Sequence, residues 1–283
     1  MSKNLVKPFL KWAGGKRQLA GEIVARAPKK FATYYEPFVG AGAILFAIQP
    51  DKPVINDLNE QLCLTYKVIR DDVESLIELL AAHKNNNSAP YYYEQRERER
   101  ERERRDTQAC GMSDVEKAAR MIYLNKTCYN GLYRVNSEGL FNTPYGRYKN
   151  PAICEKEVLR AVSKYLSEKN VTILNEDFEE AVEDASRGDF VYFDPPYDSP
   201  DLTNFTGYLA NGFDRKDQIR LKNVMLDLTE RGVKCLLSNS STDFIRETYS
   251  RPEFKIEYVQ AARMINSRAD GRGNVQEVLI RNW

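Results

Sequence analysis

Asp189-Phe190-Val191-Tyr192-Phe193-Asp194-Pro195-Pro196-Tyr197 is a short apolar run that stops at an acid, two prolines and an aromatic ring. Phe190 to Phe193 are β-favouring and fit a central strand. Pro195 and Pro196 cannot donate ladder hydrogen bonds, so pairing must end there. Open α/β sheets bind ligands at the carboxyl ends of their strands, and an Asp beside a rigid backbone and a flat ring makes a polar, stacking pocket. The plainer alternative is a strand-to-loop turn, because Pro-Pro is common punctuation. The stretch alone does not decide between them.

Working outward, Thr33-Tyr34-Tyr35-Glu36-Pro37-Phe38-Val39-Gly40-Ala41-Gly42-Ala43 reads as a strand breaking into a glycine turn that opens a helix from Ile44 to Ile48. Glycines allow the tight turn and a close approach to a ligand. A dinucleotide fingerprint would need Gly where Leu45 stands, which disfavours a nicotinamide cofactor. A second strand, Pro53-Val54-Ile55, ends in Asn56-Asp57, an acid placed to accept hydrogen bonds from ribose hydroxyls. Upstream, Lys11-Trp12-Ala13-Gly14-Gly15-Lys16-Arg17 invites a phosphate-loop reading. Leu10 and Arg17 stand where that motif needs Gly and Ser or Thr, so a nucleoside-triphosphatase is rejected. The helix that follows carries Leu19, Ile23, Val24 and Ala27 at helical spacing before Pro28.

Composition narrows the function classes. The 283 residues are 42% hydrophobic with a formal charge of +1, enough for one large core or a core with a smaller module. No apolar run is long enough for a bilayer, and Lys7, Lys11 and Lys16 interrupt any signal-peptide segment. Cysteines 63, 110, 128, 154 and 235 show no C-x-x-C spacing. They argue for reduced thiols, the cytoplasm and no metal site. His83 is the only histidine, expected at a helix end in a solvated or helix-terminal role, so histidine-based catalysis is disfavoured.

The middle of the chain begins with two helical patterns, Leu62, Tyr66 and Ile69, then Val73, Leu76, Ile77 and Leu80, and loosens at 84–90. Alternating Glu and Arg over 94–106 puts opposite charges at i,i+3 and like charges at i,i+4. A solvated or frayed helical segment is expected. Ser113 and Glu116 form a capping-box signal for the next helix. Asn125 to Lys149 then mixes Asn, Arg, Gly and Tyr, with a hairpin signal at Ser137-Glu138-Gly139. Arg for guanine edges, Asn for adenine edges and tyrosines for stacking suit a DNA-reading surface; a glycine-rich structural hairpin is the alternative. Strands at 171–174, 233–237, 255–260 and 275–281 follow, with helices at 155–166 and through Leu221 and Leu228, and an Arg/Ser/Gly-rich loop at 263–274. Strand-helix alternation is thus interrupted for about one hundred residues, too many for a loop. Residues 1–60 and 165–283 are read as one parallel α/β core and 61–164 as an inserted domain.

Lys-Trp-Ala-Gly-Gly-Lys, Glu-Pro-Phe-Val-Gly-Ala-Gly, Asn-Asp, Tyr-Asn-Gly-Leu-Tyr-Arg-Val-Asn and Asp-Pro-Pro-Tyr, in that order, resemble the DNA adenine methyltransferase (Dam) family across nearly the whole chain, most of all its type II restriction-associated GATC methylases. The resemblance implies a Rossmann-like class I S-adenosylmethionine-dependent methyltransferase core, with an inserted, mainly helical target-recognition domain containing a β-hairpin. It implies transfer of a methyl group from S-adenosylmethionine to N6 of a flipped-out adenine in double-stranded DNA. A cognate restriction endonuclease is a candidate partner, and no membrane or metal is involved. Trp12, Lys16, Phe38, Gly40, Gly42, Asp57, Asp177, Phe178 and Asp194 match cofactor-contacting positions. Asp194, Pro195, Pro196 and Tyr197 match the catalytic motif. Tyr129, Asn130, Leu132, Arg134, Asn136, Pro144 and Arg147 fall in the target-reading segment. The Glu-Arg run has no counterpart in the family's motifs. Rival readings are methylation of cytosine N4 or of adenine in RNA, and a non-catalytic DNA-binding module on the same fold. Asp at the first position of Asp-Pro-Pro-Tyr, with the basic aromatic segment upstream, favours adenine in DNA.

Overall fold

The computed structural model describes residues 5–12, 16, 18–105, 111–136, 139–199, 212–262 and 274–283, without the side chains of 99–105, 261–262 and 274–275. Ala13, Gly14, Gly15 and Arg17 of the amino-terminal motif, the turn residues Ser137 and Glu138, and the loop 263–273 lie outside the described residues. Seven strands form one sheet: β1 (Tyr34–Glu36), β2 (Pro53–Asn56), β3 (Thr172–Leu174), β4 (Phe190–Phe193), β5 (Lys234–Ser240), β6 (Lys255–Ala262) and β7 (Asn274–Arg281). Their order is β3-β2-β1-β4-β5-β7-β6. The first five run parallel, and β7 inserts antiparallel between β5 and β6, so the sheet is mixed where the sequence pattern suggests a parallel core.

β4 lies between β1 and β5 and is covered on both faces, which is why it reads as an unbroken apolar run. Its side chains alternate as the pleat requires: Phe190 and Tyr192 enter one core layer, Val191 and Phe193 the other. The first layer holds α1 (Ala20–Arg26), α2 (Leu45–Ile48), α3 (Glu60–Asp71), α4 (Val73–Asn86), α6 (Asp114–Thr127) and α7 (Lys156–Glu168). The second holds α8 (Arg215–Glu230) and α9 (Asp243–Thr248), the latter without a counterpart in the sequence reading. Strand order reverses direction between β1 and β4, the switch point beyond whose strand carboxyl ends open α/β sheets place their ligand crevice.

Four local expectations are corrected. The chain does not loosen at 84–90: α4 runs to Asn86 and α5 (Ala89–Arg105) starts three residues on. Pro90 is tolerated there because first-turn N–H groups have no helical acceptor. The Glu-Arg run continues α5, and its start is anchored. Tyr92 and Gln95 are buried, and Arg120 of α6 donates to the carbonyls of Gln95 (2.7 Å) and Arg96 (3.0 Å). His83 lies in the last turn of α4, at the expected helix end, but is not solvated; it bonds the Tyr91 hydroxyl at 2.7 Å and stacks on Tyr123, and burial lowers its pKa to about 4. Val24 points to solvent rather than into the α1 core face. The Ser113–Glu116 capping box is present as read, and Cys63, Cys128, Cys154 and Cys235 are free thiols.

Candidate active site

The glycine turn after β1 brings the amino-terminal motif onto the crevice. Gly40 and Gly42 both have positive φ, +49° and +74°. A Cβ on Gly40 would lie 2.9 Å from the Trp12 ring, and one on Gly42 would lie 2.7 Å from the Tyr66 hydroxyl. Neither position accepts a side chain, in conformation or in space. Tyr66 secures the turn by donating to the Gly40 carbonyl at 3.0 Å.

Asp57, at the tip of β2, accepts Gly40 N–H on Oδ2 (3.1 Å) and Asn59 N–H on Oδ1 (2.9 Å). Each oxygen keeps acceptor capacity for a further donor. Burial nevertheless pushes this carboxyl up to about 6. Glu36, 2% exposed, takes the Tyr34 hydroxyl at 2.8 Å, and burial also raises it well above the usual range. Neither acid has an ion-pair partner among the described residues. Phe178 stacks on Phe38 at 5.5 Å and 29°, Phe213 closes edge-on, and Arg220 lies over Phe178 while bonding Asp177 at 2.9 Å.

The stretch after β4 forms the opposite wall. Asp194 Oδ1 meets Lys16 Nζ at 3.0 Å and accepts the Ser238 hydroxyl at 2.9 Å. Its Oδ2 has no partner among the described residues. Burial raises the Asp194 pKa, and Lys16 and Ser238 partly offset that. Gln218 donates to the Pro196 carbonyl at 2.8 Å, while the Pro195 carbonyl accepts nothing from the described residues. Tyr197 donates to Glu277 of β7 at 2.8 Å, and the Lys16 ammonium lies 4.2 Å from its ring centroid. Asn239 of β5 bonds both Gln218 and the Asp198 amide, which holds the loop to α8 and β5.

The segment 125–149, expected to read the target, carries isolated bridges and no continuous strand among the described residues. Two isolated antiparallel bridges, Cys128 with Tyr145 and Val135 with Phe141, join its arms, and the Asn136 and Asn142 amides donate across to the carbonyls of Leu140 and Arg134, each at 2.9 Å. Left-handed Asn130 and Arg147 and the missing N–H of Pro144 interrupt the ladder. Tyr129 is 57% exposed, and its amide donates to the Pro144 carbonyl at 2.8 Å, which groups Tyr129, Asn130, Pro144 and Arg147. Arg134 is exposed with Nε on Asn142 at 2.8 Å; Asn136 accepts the Leu140 amide at 2.9 Å; the Leu132 carbonyl takes the Thr143 hydroxyl at 2.7 Å. The segment is tied to the crevice: Tyr133 stacks on Trp12 at 4.9 Å, and buried Asn125 brackets the Lys11 peptide, accepting its N–H and donating to its carbonyl.

The sequence reading assigned no role to Glu36, Phe213, Ser238 or Glu277. Glu36 lies in the quoted glycine motif. Ser238 and Glu277 lie on strands whose approach to β4 depends on sheet order, which no local pattern encodes. No group of acids, cysteines and histidine among the described residues could hold a metal ion, and no described helix is long and apolar enough to cross a membrane.

Comparison with known proteins matches residues 12–265 to the family of D12 class N6 adenine-specific DNA methyltransferases. Type II methyltransferase M1.LlaDCHI of Lactococcus lactis subsp. cremoris is 43% identical over 100% of this chain and 98% of its own length. Type II methyltransferase M.MjaIII of Methanocaldococcus jannaschii is 44% identical over 98% of this chain and 99% of its own. A DNA adenine methylase of Serratia marcescens is 35% identical over 99% of this chain and 98% of its own.

Proposed function

Since the chain belongs to the D12 class N6 adenine-specific DNA methyltransferases and methylates adenine N6 in DNA, we propose that S-adenosylmethionine is its methyl donor, GATC its target, and Asp194 and Pro195 the acceptors that hold the reacting amine. The observation that carries this reading is the half-occupied carboxylate: Asp194 Oδ1 is filled by Lys16 and Ser238, while Oδ2 and the Pro195 carbonyl, adjacent in the chain, take no partner among the described residues.

The crevice suits the donor. Buried Glu36 and part-buried Asp57 lack cationic partners among the described residues, and a sulfonium ligand with ribose hydroxyls would supply a charge to one and donors to the other. Phe38, Phe178 and Phe213 offer a flat apolar slot for its adenine, with Asp177 at the edge; Trp12, Gly40 and Gly42 shape the adjoining turn. When bound, S-adenosylmethionine supplies an electrophilic methyl group.

The target nitrogen is a poor nucleophile because its lone pair is delocalised into the ring. Asp194 Oδ2 and the Pro195 carbonyl accept its two N–H bonds, and the nitrogen pyramidalises with its lone pair directed at the methyl. The Asp194 charge stabilises the positive charge that would develop on nitrogen as its bond to the methyl carbon forms and the donor's S–C bond breaks to leave a neutral thioether; the nitrogen then gives one proton to water. Flipping the base out of the duplex costs a few kcal/mol. Stacking on Tyr197 returns ~1–3 kcal/mol, and Pro196 keeps that loop rigid. Lys16 must give way from the face of Tyr197 as the base enters.

Residues 61–164 act as the recognition domain, and Tyr129, Asn130, Leu132, Arg134, Asn136, Pro144 and Arg147 read the site, Arg134 through guanine. A cognate restriction endonuclease is the expected partner. Plasmid DNA treated with the protein and S-adenosylmethionine, then digested with methylation-sensitive and methylation-insensitive GATC endonucleases, tests the target. Protection confined to GATC is expected, relaxed in Arg134→Ala. Full cleavage despite methyl incorporation would place the target elsewhere.

A further inference from the structure

Ser238 and Tyr192 are both fully buried, on neighbouring parallel strands; the mechanism above uses Ser238 only to fill Asp194 Oδ1 and leaves Tyr192 without a role. Ser238 Oγ lies 2.8 Å from the Tyr192 hydroxyl and 2.9 Å from Asp194 Oδ1. A serine hydroxyl has one proton. With that proton on the carboxylate, the Tyr192 hydroxyl must donate to Ser238. The bonds therefore run one way, Tyr192 to Ser238 to Asp194. With the Lys16 ammonium on the same oxygen, Oδ1 is fully engaged. A carboxylate pinned through one oxygen cannot turn about its terminal bond, which is otherwise a soft, two-fold torsion.

We propose that Tyr192 and Ser238 are positioning residues that fix the Asp194 carboxylate so that Oδ2 alone is presented to the adenine amine. The inference rests on Asp194 being the amine acceptor. The groups facing Asp194 are Lys16, Ser238, Tyr192, Tyr197 and Glu277, with Glu36 beyond them. Lys16 and Ser238 hold the acid's pKa down against burial, and Glu277 works the other way. Removing the Ser238 donor therefore weakens the hold on orientation and raises the pH at which the carboxylate forms.

Steady-state methylation of plasmid DNA, with kcat counted per site that binds S-adenosylmethionine, compares Ser238→Ala, Tyr192→Phe, their double variant and Asp194→Asn. Ser238→Ala is expected to lower kcat about 10- to 100-fold, the range a hydrogen bond to a charged group is worth. KM for the methyl donor should move by about twofold or less, because orientation matters only in the reacting complex. The acid limb of its kcat profile should move to higher pH. Tyr192→Phe should lower kcat about 3- to 10-fold. The double variant should match Ser238→Ala within about twofold, since Tyr192 acts only through Ser238. Unchanged kcat in both single variants, or multiplying losses in the double, would overturn the positioning role while an inactive Asp194→Asn keeps the acceptor reading intact. Near wild-type turnover in Asp194→Asn would instead overturn the acceptor reading itself.

Discussion

Asp57 shows how one residue's surroundings set a measurable property. Two backbone amides hold its carboxylate, yet burial raises its pKa from 3.8 to about 6. In the unliganded protein this works against stability as pH rises from 3.8 through about 6, because the folded state releases its proton later than the unfolded chain. Ligand hydroxyls donating to the ion have the opposite sign: they favour the charged form, so binding lowers the pKa and affinity is gained as pH rises through about 6. Calorimetric titration should find S-adenosylmethionine binding weakening about tenfold per unit of pH below the Asp57 midpoint. Asp57→Asn should flatten that limb and weaken binding at neutral pH. A pH-independent Kd in the unmodified protein would remove Asp57 from the binding site.

At the scale of elements, legibility follows locality. β4 runs over the four residues its sequence suggests, because a run of β-favouring residues closed by prolines admits few alternatives. The Ser113 capping box was equally legible, being one turn of chain. Ser238, Glu277 and Phe213 were not, because their partners lie 44, 80 and 175 residues away. The Glu-Arg helix misled in part because its charge pairs are self-cancelling, while its anchor is Arg120 of another helix. Arg120 is 2% exposed, so Arg120→Ala removes two charge-assisted bonds from the interior and opens a cavity. A loss of roughly 2–4 kcal/mol is expected in urea unfolding. An unchanged midpoint would show that α5 is held by its tyrosines instead.

Across the whole molecule, one core layer runs from the sheet into the middle of the chain: Phe46, Ile55 and Phe190 share a buried cluster with Tyr66, Ile122 and Leu159. The segment rich in Asn, Arg and Tyr is joined to the crevice through the Trp12–Tyr133 stack and the Lys11–Asn125 bonds, so the surface that would read DNA and the turn that would hold the donor share side chains. That continuity was beyond the sequence, where the two stretches are 114 residues apart. The central claim is that this architecture presents the Asp194 carboxylate to the adenine amine. Its most direct test is mass spectrometry of nucleosides from DNA incubated with S-adenosylmethionine and either the unmodified protein or a folded Asp194→Ala variant. The account predicts N6-methyladenine as the product of the unmodified protein and none above background from Asp194→Ala. N4-methylcytosine in place of N6-methyladenine, or near-normal N6-methyladenine from Asp194→Ala, would contradict it.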